Sequence, residues 1–264
     1  MDLNQLVDWF TNPANWTGLT GIPNRVFEHV WLSTLAVVVG SLIAIPVGLA
    51  IGHTGRGAFL AVSIANVGRA IPSYALLLIF FTFFGIGFST VFPALLVLAI
   101  PPILTSTYVG IREVARDAIE AGRAMGMSEL ELLRAVEVPI ALPVIIAGVR
   151  IAAVQVVATA ALAALVGGGT LGRFIVDGFA LQQFDQLIGG AILVAVLAVA
   201  AGLVGGDDPV MDDTPRTLDL EGAASSSGGT RPTVAYRLEP ADGPPRTVRL
   251  EVAADPAARA RGLM

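Results

Sequence analysis

The chain contains no cysteine and no lysine, and its only histidines are His29 and His53. Without thiols there is no disulfide framework and no thiolate metal centre. Two histidines also argue against a His-rich metal site. A P-loop needs a lysine to reach the β- and γ-phosphates, and here all 16 basic residues are arginine. No cofactor is therefore expected on this chain, and any nucleotide energy has to enter through another protein. Charge is scarce as well, at 14% of residues against about a quarter in soluble domains. The opening MDLNQLVDWF has no basic stretch ahead of an apolar core, so it does not read as a cleaved signal peptide. Trp9, Phe10 and Trp16 instead suit an interfacial segment over residues 1–29.

What the chain has in abundance is apolar sequence. Hydrophobic residues make up 55% of its 264 residues, and the mean hydropathy is +0.75. Crossing a bilayer takes roughly 20 apolar residues of helix. Five spans are the economical reading: 30–52, 58–84 with a kink at Pro72, 91–110 around Pro101 and Pro102, 140–166, and 187–204. This predicts an all-α membrane protein with a transmembrane domain over 30–206. Arginines 56, 112, 116, 123 and 134 fall on one side of such a topology and Arg25 and Arg173 on the other. Positive-inside asymmetry makes the first side cytoplasmic, with the N-terminus outside and everything after the last span inside.

Beyond Asp207 the composition changes. Residues 207–232, rich in Asp, Gly and Ser, read as a disordered linker. Within 233–264, TVAYRLEP and RTVRLEVA alternate apolar and polar residues around ADGPP, the pattern of a hairpin. The ending DPAARARGLM resembles the opening of a small β-rich domain family with an Arg-x-x-Gly-Leu-Met element. The tail is expected to be a fragment of such a domain.

One stretch breaks the apolar rule. Between 112 and 125 the charges return at helical spacing, with Val114, Ala118, Ala121 or Gly122, and Met125 on one face. Gly126 breaks this helix, Ser128 and Glu131 form the S-x-x-E capping pattern of a second, and Pro139 and Pro143 are expected to close it. A capped helix pair at the cytoplasmic face is more than a connector needs; it reads as a docking surface. Glu120-Ala121-Gly122, Gly126 four residues on, and the Pro139/Pro143 close resemble the cytoplasmic coupling motif of ABC-importer permeases. The resemblance extends over most of 30–203 and is nearest to the quaternary-amine branch, with Gly110-Ile111-Arg112, Gly148-Val149-Arg150 and LVGGGTLGRFI in support. It implies a multi-pass permease of the cell membrane whose first short helix sits in a groove of a cytoplasmic ATPase. That ATPase would bind the ATP and Mg; an extracytoplasmic substrate-binding protein and a second permease subunit would complete the assembly, with no nucleic-acid partner. The chain departs from the family at Gly122, where Ala is usual.

Weaker signals leave alternatives open. Gly167, Gly169 and Gly172 match G-x-G-x-x-G, but that pattern speaks for a dinucleotide only between a strand and a helix. Here it follows a membrane helix, where glycines allow backbones to approach; the resemblance places it at the outer gate and the binding-protein face. Arg69 and Arg150 either line a translocation path or snorkel and pair. Tyr74, Tyr108 and the Phe80 to Phe84 run either offer faces to a cationic ligand or simply pack. The expected function is thus import of osmoprotectant quaternary amines such as glycine betaine or choline, without enzymatic activity of the chain itself. The alternatives are an ion-coupled secondary transporter, a membrane anchor for the tail, or a permease for another small solute such as an amino acid.

Overall fold

The computed structural model describes residues 3–59, 63, 71–203, 233–238 and 246–251. It divides into two units, Met1–Asp207 and Asp208–Met264. The first is helical: α1 (Leu3–Thr11), α2 (Ile22–Thr54), α3 (Ser73–Phe84), α4 (Phe88–Arg112), α5 (Arg116–Ala124), α6 (Glu129–Leu132), α7 (Val138–Ala160), α8 (Gly172–Ala180) and α9 (Phe184–Leu203). In the second, β1 (Thr233–Leu238) pairs antiparallel with β2 (Arg246–Glu251), Thr233 opposite Glu251, on the two alternating segments of the sequence. The expected linker, 207–232, lies outside the described residues.

Among the described residues four helical stretches are long and apolar enough to cross a membrane: Ile22–Thr54, Phe88–Arg112, Glu129–Val166 and Phe184–Leu203. They correspond to the first, third, fourth and fifth expected spans. The second, 58–84, is represented by α3, a shorter apolar helix that begins just after Pro72; residues 60–62 and 64–70 of that span, Arg69 included, lie outside the described residues. The domain is an all-α membrane protein.

The helices pack through small residues. Along α2, Ala36, Gly40, Ala44, Gly48 and Gly52 recur every fourth position and all are buried, so they form one stripe. A side chain added at Gly48 would come within 2.7 Å of Thr107 Cβ, and one at Gly52 within 2.7 Å of Ile111 Cβ; both partners are on α4. On the other side of α4, Gly110 leaves 3.2 Å to Val144 Cβ on α7, and Gly148 of α7 faces Ser106 and the Pro102 carbonyl of α4. Lipid tails are as apolar as leucine, so in a bilayer such close backbone contact and its dispersion energy hold helices together rather than hydrophobic burial.

Prolines inside these helices, Pro46, Pro93, Pro101, Pro102 and Pro143, each delete one backbone donor. Membrane helices tolerate this because hydroxyls and tightened turns re-satisfy the freed groups. Beside Pro101 and Pro102, the Thr105 and Thr107 hydroxyls are themselves satisfied by bonding back to the Pro101 and Ile103 carbonyls, each at 2.8 Å. After Ala160 the chain tightens into a 3₁₀ turn, Ala161–Val166. There the Ala161 N–H turns to Thr159, which frees the Val157 carbonyl. Buried His29 of α2 takes it, Nε2 donating at 2.9 Å. A carbonyl only accepts, so Nε2 carries the hydrogen.

Filling the stripe should unmake the bundle. We expect Gly48→Leu to destabilise by about 1–3 kcal/mol, as overpacking of a close-packed core does, lowering the thermal midpoint of the detergent-purified protein. Val38→Leu, on the exposed face of the same helix, should leave it in place. Equal midpoints for the two variants would refute the small-residue contact.

Candidate functional site

The site grows from the Arg-rich end of the bundle, where α2 and α4 stop. The spacing predicts one helix over 112–125, but Arg112 is the last residue of membrane helix α4, and the chain turns at 113–115 before α5 starts at Arg116. Val114 is buried at that turn while Met125, expected on the same face, is exposed. The reason is the turn itself, which breaks the angular register between the two. On α5, Gly122 is buried and Glu120 and Ala121 are exposed. The outward face therefore carries Glu120 and Ala121, and the inward face rests on Gly122.

Gly122 marks where α5 touches the next segment. A Cβ there would stand 2.6 Å from Leu132 Cδ1, with Met127 Sδ 3.4 Å away; Leu132 is fully buried. The glycine where the family resemblance leads one to expect alanine thus lets Leu132 fill that space. The end of α5 is a Schellman turn: Met127 N–H donates to Gly122 O at 3.2 Å and Gly126 N–H to Arg123 O at 2.9 Å. Gly126 has φ of +84°, a left-handed conformation that glycine adopts without Cβ strain.

The second helix is capped as the sequence predicts. Glu131 N–H donates to Ser128 Oγ at 3.4 Å, and Ser128 N–H to Glu131 Oε2 at 2.8 Å. Pro139 and Pro143 do not end it. A π turn over Leu133–Glu137 joins α6 to α7, and the apolar helical stretch runs on from Glu129 to Val166, 38 residues. In the π turn the Val138 N–H reaches back five residues to Leu133 O, so the ladder is already shifted where Pro139 lacks its donor. At 1.5 Å per residue this stretch is about 57 Å long, nearly twice a bilayer core of about 30 Å. The stretch is longer than a bilayer core requires, and its first turns, which carry Glu129, Glu131, Arg134 and Glu137, are the charged end next to α5.

Four side chains tie this end together. Arg123 of α5 holds Glu129 of α6 with two parallel bonds, Nε to Oε1 at 3.1 Å and Nη2 to Oε2 at 3.0 Å. Each charge favours the other: the carboxylate raises the Arg123 pKa, and the guanidinium's hydrogen bonds hold Glu129 below the usual carboxylate range. His53, in the last turn of α2, lies between Glu129 Oε2 (3.3 Å from Nε2) and buried Glu137 Oε2 (2.8 Å from Nδ1). Sequence reasoning passes over this group, having weighed His53 only as a metal ligand. The signal was Glu137 itself, an acid inside the apolar run VEVPIALP; a buried carboxylate demands a partner.

The opposite end of the bundle holds the glycine motif. Gly167 ends the 3₁₀ turn at φ +83°, with Ile86 where its side chain would be. The Gly169 carbonyl accepts from Arg25 Nη1 at 2.7 Å, and that guanidinium also pairs with Glu28 at 2.9 Å. Gly172 sits against the Ala161 carbonyl, and Thr170 Oγ1 donates to Ala160 O at 2.9 Å. These glycines work by close approach, and the turn they shape is fastened to the start of α2.

Of the remaining candidates, Arg69 lies outside the described residues. Measured from the shared turn at 85–87 at 1.5 Å per residue, Tyr74 of α3 is about 16 Å along its helix and Tyr108 of α4 about 31 Å along its own. By helix length they lie at different distances from that turn. Phe80 and Phe84 stack on one another at 6.0 Å. Half-buried Arg150 lines a cavity of about 500 Å³ between α2, α7 and α9, beside Ser33 and Thr34.

The family model described as "Binding-protein-dependent transport system inner membrane component" matches residues 26–206. The choline transport system permease protein OpuBB of Bacillus subtilis (strain 168) is 38% identical over 180 residues, 68% of this chain and 83% of that protein. The glycine betaine/carnitine/choline transport system permease protein OpuCB of the same organism is 38% identical over 172 residues, 65% and 79% of the two chains. Among solved structures, the MetNI methionine ABC transporter in inward-facing conformations is similar with a TM-score of 0.63 at 25% identity, over 74% of this chain and 96% of that chain.

The turn between α5 and α6 separates two outcomes. Gly122→Ala should be tolerated, because the nearest atom is a terminal methyl of Leu132 and alanine returns about 1 kcal/mol of helix propensity. Gly126→Pro cannot reach φ +84° and loses an N–H bond, a strain of about 1–3 kcal/mol or more at one turn. Trypsin cleavage after Arg123 should therefore quicken in Gly126→Pro and stay at the wild-type rate in Gly122→Ala. The same rate in all three would contradict the turn's role.

Proposed function

The chain belongs to the family of binding-protein-dependent transport system inner membrane components, and on that premise we propose that it is the permease subunit of an ABC importer for osmoprotectant quaternary amines such as glycine betaine, choline or carnitine. The carrying observation is the braced, outward-facing α5, with Glu120 and Ala121 exposed on a helix at the Arg-rich end. A short helix held on its inner face and free on its outer face suits a groove on another protein. That protein is a cytoplasmic ATPase, which binds the ATP and Mg; the permease is not itself an enzyme. Pro139 and Pro143 belong to this coupling element as part of the long helix that transmits its movement. Positive-inside asymmetry puts α5 and the tail in the cytoplasm and α1 outside. The turn around Gly167, Gly169 and Gly172 then faces the extracytoplasmic binding protein, and a second permease subunit, the same or a sister chain, completes the path. Arg69, Tyr74, Tyr108 and Arg150 are candidate residues of that path.

The relatives' names favour quaternary amines. A second reading, an amino-acid permease, is favoured by the methionine transporter among the structural neighbours. An ion-coupled carrier acting alone has no support from this family.

Reconstitution decides between them. Proteoliposomes holding this chain with its ATPase should take up labelled choline or glycine betaine only when ATP is inside and binding protein outside, and removing residues 208–264 should not change the rate. ATP-driven uptake of methionine with none of any quaternary amine would move the assignment to the second reading. Uptake without any ATPase would end the ABC assignment.

A further inference from the structure

His53 stands between two carboxylates, and this constrains where a proton must be. Its Nδ1 lies 2.8 Å from Glu137 Oε2 and its Nε2 3.3 Å from Glu129 Oε2. An ionised carboxylate only accepts hydrogen bonds, and a neutral imidazole has one N–H to give. With both carboxylates ionised, the imidazolium donates through Nδ1 to Glu137 and attracts Glu129 across 3.3 Å as an ion pair, and a neutral ring loses that attraction. The ring and Glu137 are largely withdrawn from water, with side-chain exposures of 14% and 4%, whereas Glu129 is 59% exposed. Water therefore replaces Glu129 as a partner far more readily than Glu137. Loss of the proton ends the ion pair with α6 first. No metal explains the group, since among the described residues no such cluster is arranged to hold one.

The elements joined are those that have to move together. His53 ends α2, Glu137 closes the π turn at the foot of α7, and Glu129 opens α6 and is clamped in turn by Arg123 of α5. From α4, the Arg112 guanidinium lies near Gly55, just beyond His53, and Glu120 adds its field at Arg123. Two acids and one imidazole thus form the inner part of the group, with arginines at its rim.

We propose that protonated His53 is a positioning residue that fastens the α5–α6 coupling helices to the first membrane span, so that coupling of ATP hydrolysis to transport weakens as the cytoplasmic pH rises and the imidazole loses its proton. The idea rests on the import reading for its transport consequence, but its structural half concerns this chain alone. In the protonated state a push on α5 reaches α2 through Arg123, Glu129 and His53 and reaches α7 through Glu137. In the neutral state α5 and α6 are held through the π turn and the turn at 113–115 without the His53 brace, and movement of the ATPase is partly spent in bending them.

Two measurements test this. The first is the thermal midpoint of the purified chain followed from mildly acidic to mildly alkaline pH. It should fall with pH in the wild type, stay level in His53→Arg, which remains a cation, and stay level at the lower value in His53→Gln. A wild-type profile matching that of either variant across the range would overturn the proton link. The second is the number of substrate molecules moved per ATP in proteoliposomes of the full complex. His53→Gln and Glu129→Gln should lower this ratio by about fivefold, the low end of ordinary coupling between sites, while ATP hydrolysis continues. His53→Arg should restore the ratio and remove its pH dependence. An unchanged ratio in His53→Gln would refute the positioning role. A wild-type complex that hydrolyses ATP but moves no quaternary amine would instead fault the substrate reading, with the melting profiles still judging the proton link.

Discussion

Everything in the membrane domain depends on how closely α4 can approach its two neighbours. In lipid no hydrophobic force drives apolar helices together, so association rests on contact area and on backbone proximity. The stripe Ala36, Gly40, Ala44, Gly48 and Gly52 supplies this toward α2, and Gly110 with Gly148 supplies it toward α7. Because close-packed interiors transmit strain rather than absorb it, the three helices behave as one lever. The polar groups inside follow from the same geometry. His29 caps a carbonyl released where α7 tightens, and Thr105 and Thr107 bond back to their own helix beside the prolines.

The helices at the Arg-rich end have the opposite construction. Few apolar side chains hold α5, and its attachment is a single glycine-to-leucine contact, a Schellman turn, a capping box and a run of ion pairs. Exposed ion pairs are individually weak, so the attachment is adjustable where the bundle is not. A close-packed bundle with a polar, adjustable attachment suits the coupling role proposed for α5. The opposite end is fastened too, with Arg25 holding the Gly169 carbonyl and Glu28.

Much of this was legible from residues alone. Uncharged runs of spanning length locate four long helices, the alternation in the tail locates β1 and β2, and Ser128 with Glu131 announces a capping box that the structure contains. The misjudged points have physical causes. Periodicity carries through a short turn when the apolar residues fall in phase, which merged the end of α4 with α5. Proline signals a stop at 139 and 143, but a π turn re-routes the ladder and the helix continues. The His53 group joins residues 53, 123, 129 and 137, and only the folded bundle brings positions so far apart in sequence to one point. Tyr74 and Tyr108 look alike in sequence, and only their positions along separate helices set them apart.

The central claim is that the outer face of α5 is the surface on which an ATPase acts. The chain has no cysteine, so a single introduced thiol is a clean reporter. Glu120→Cys, on the exposed face, should react quickly with a membrane-impermeant maleimide in inside-out vesicles containing the permease alone. It should be protected when the ATPase is bound, while a thiol at exposed Leu130 on α6 should keep most of its reactivity. Equal labelling at residue 120 with and without the ATPase would contradict the account.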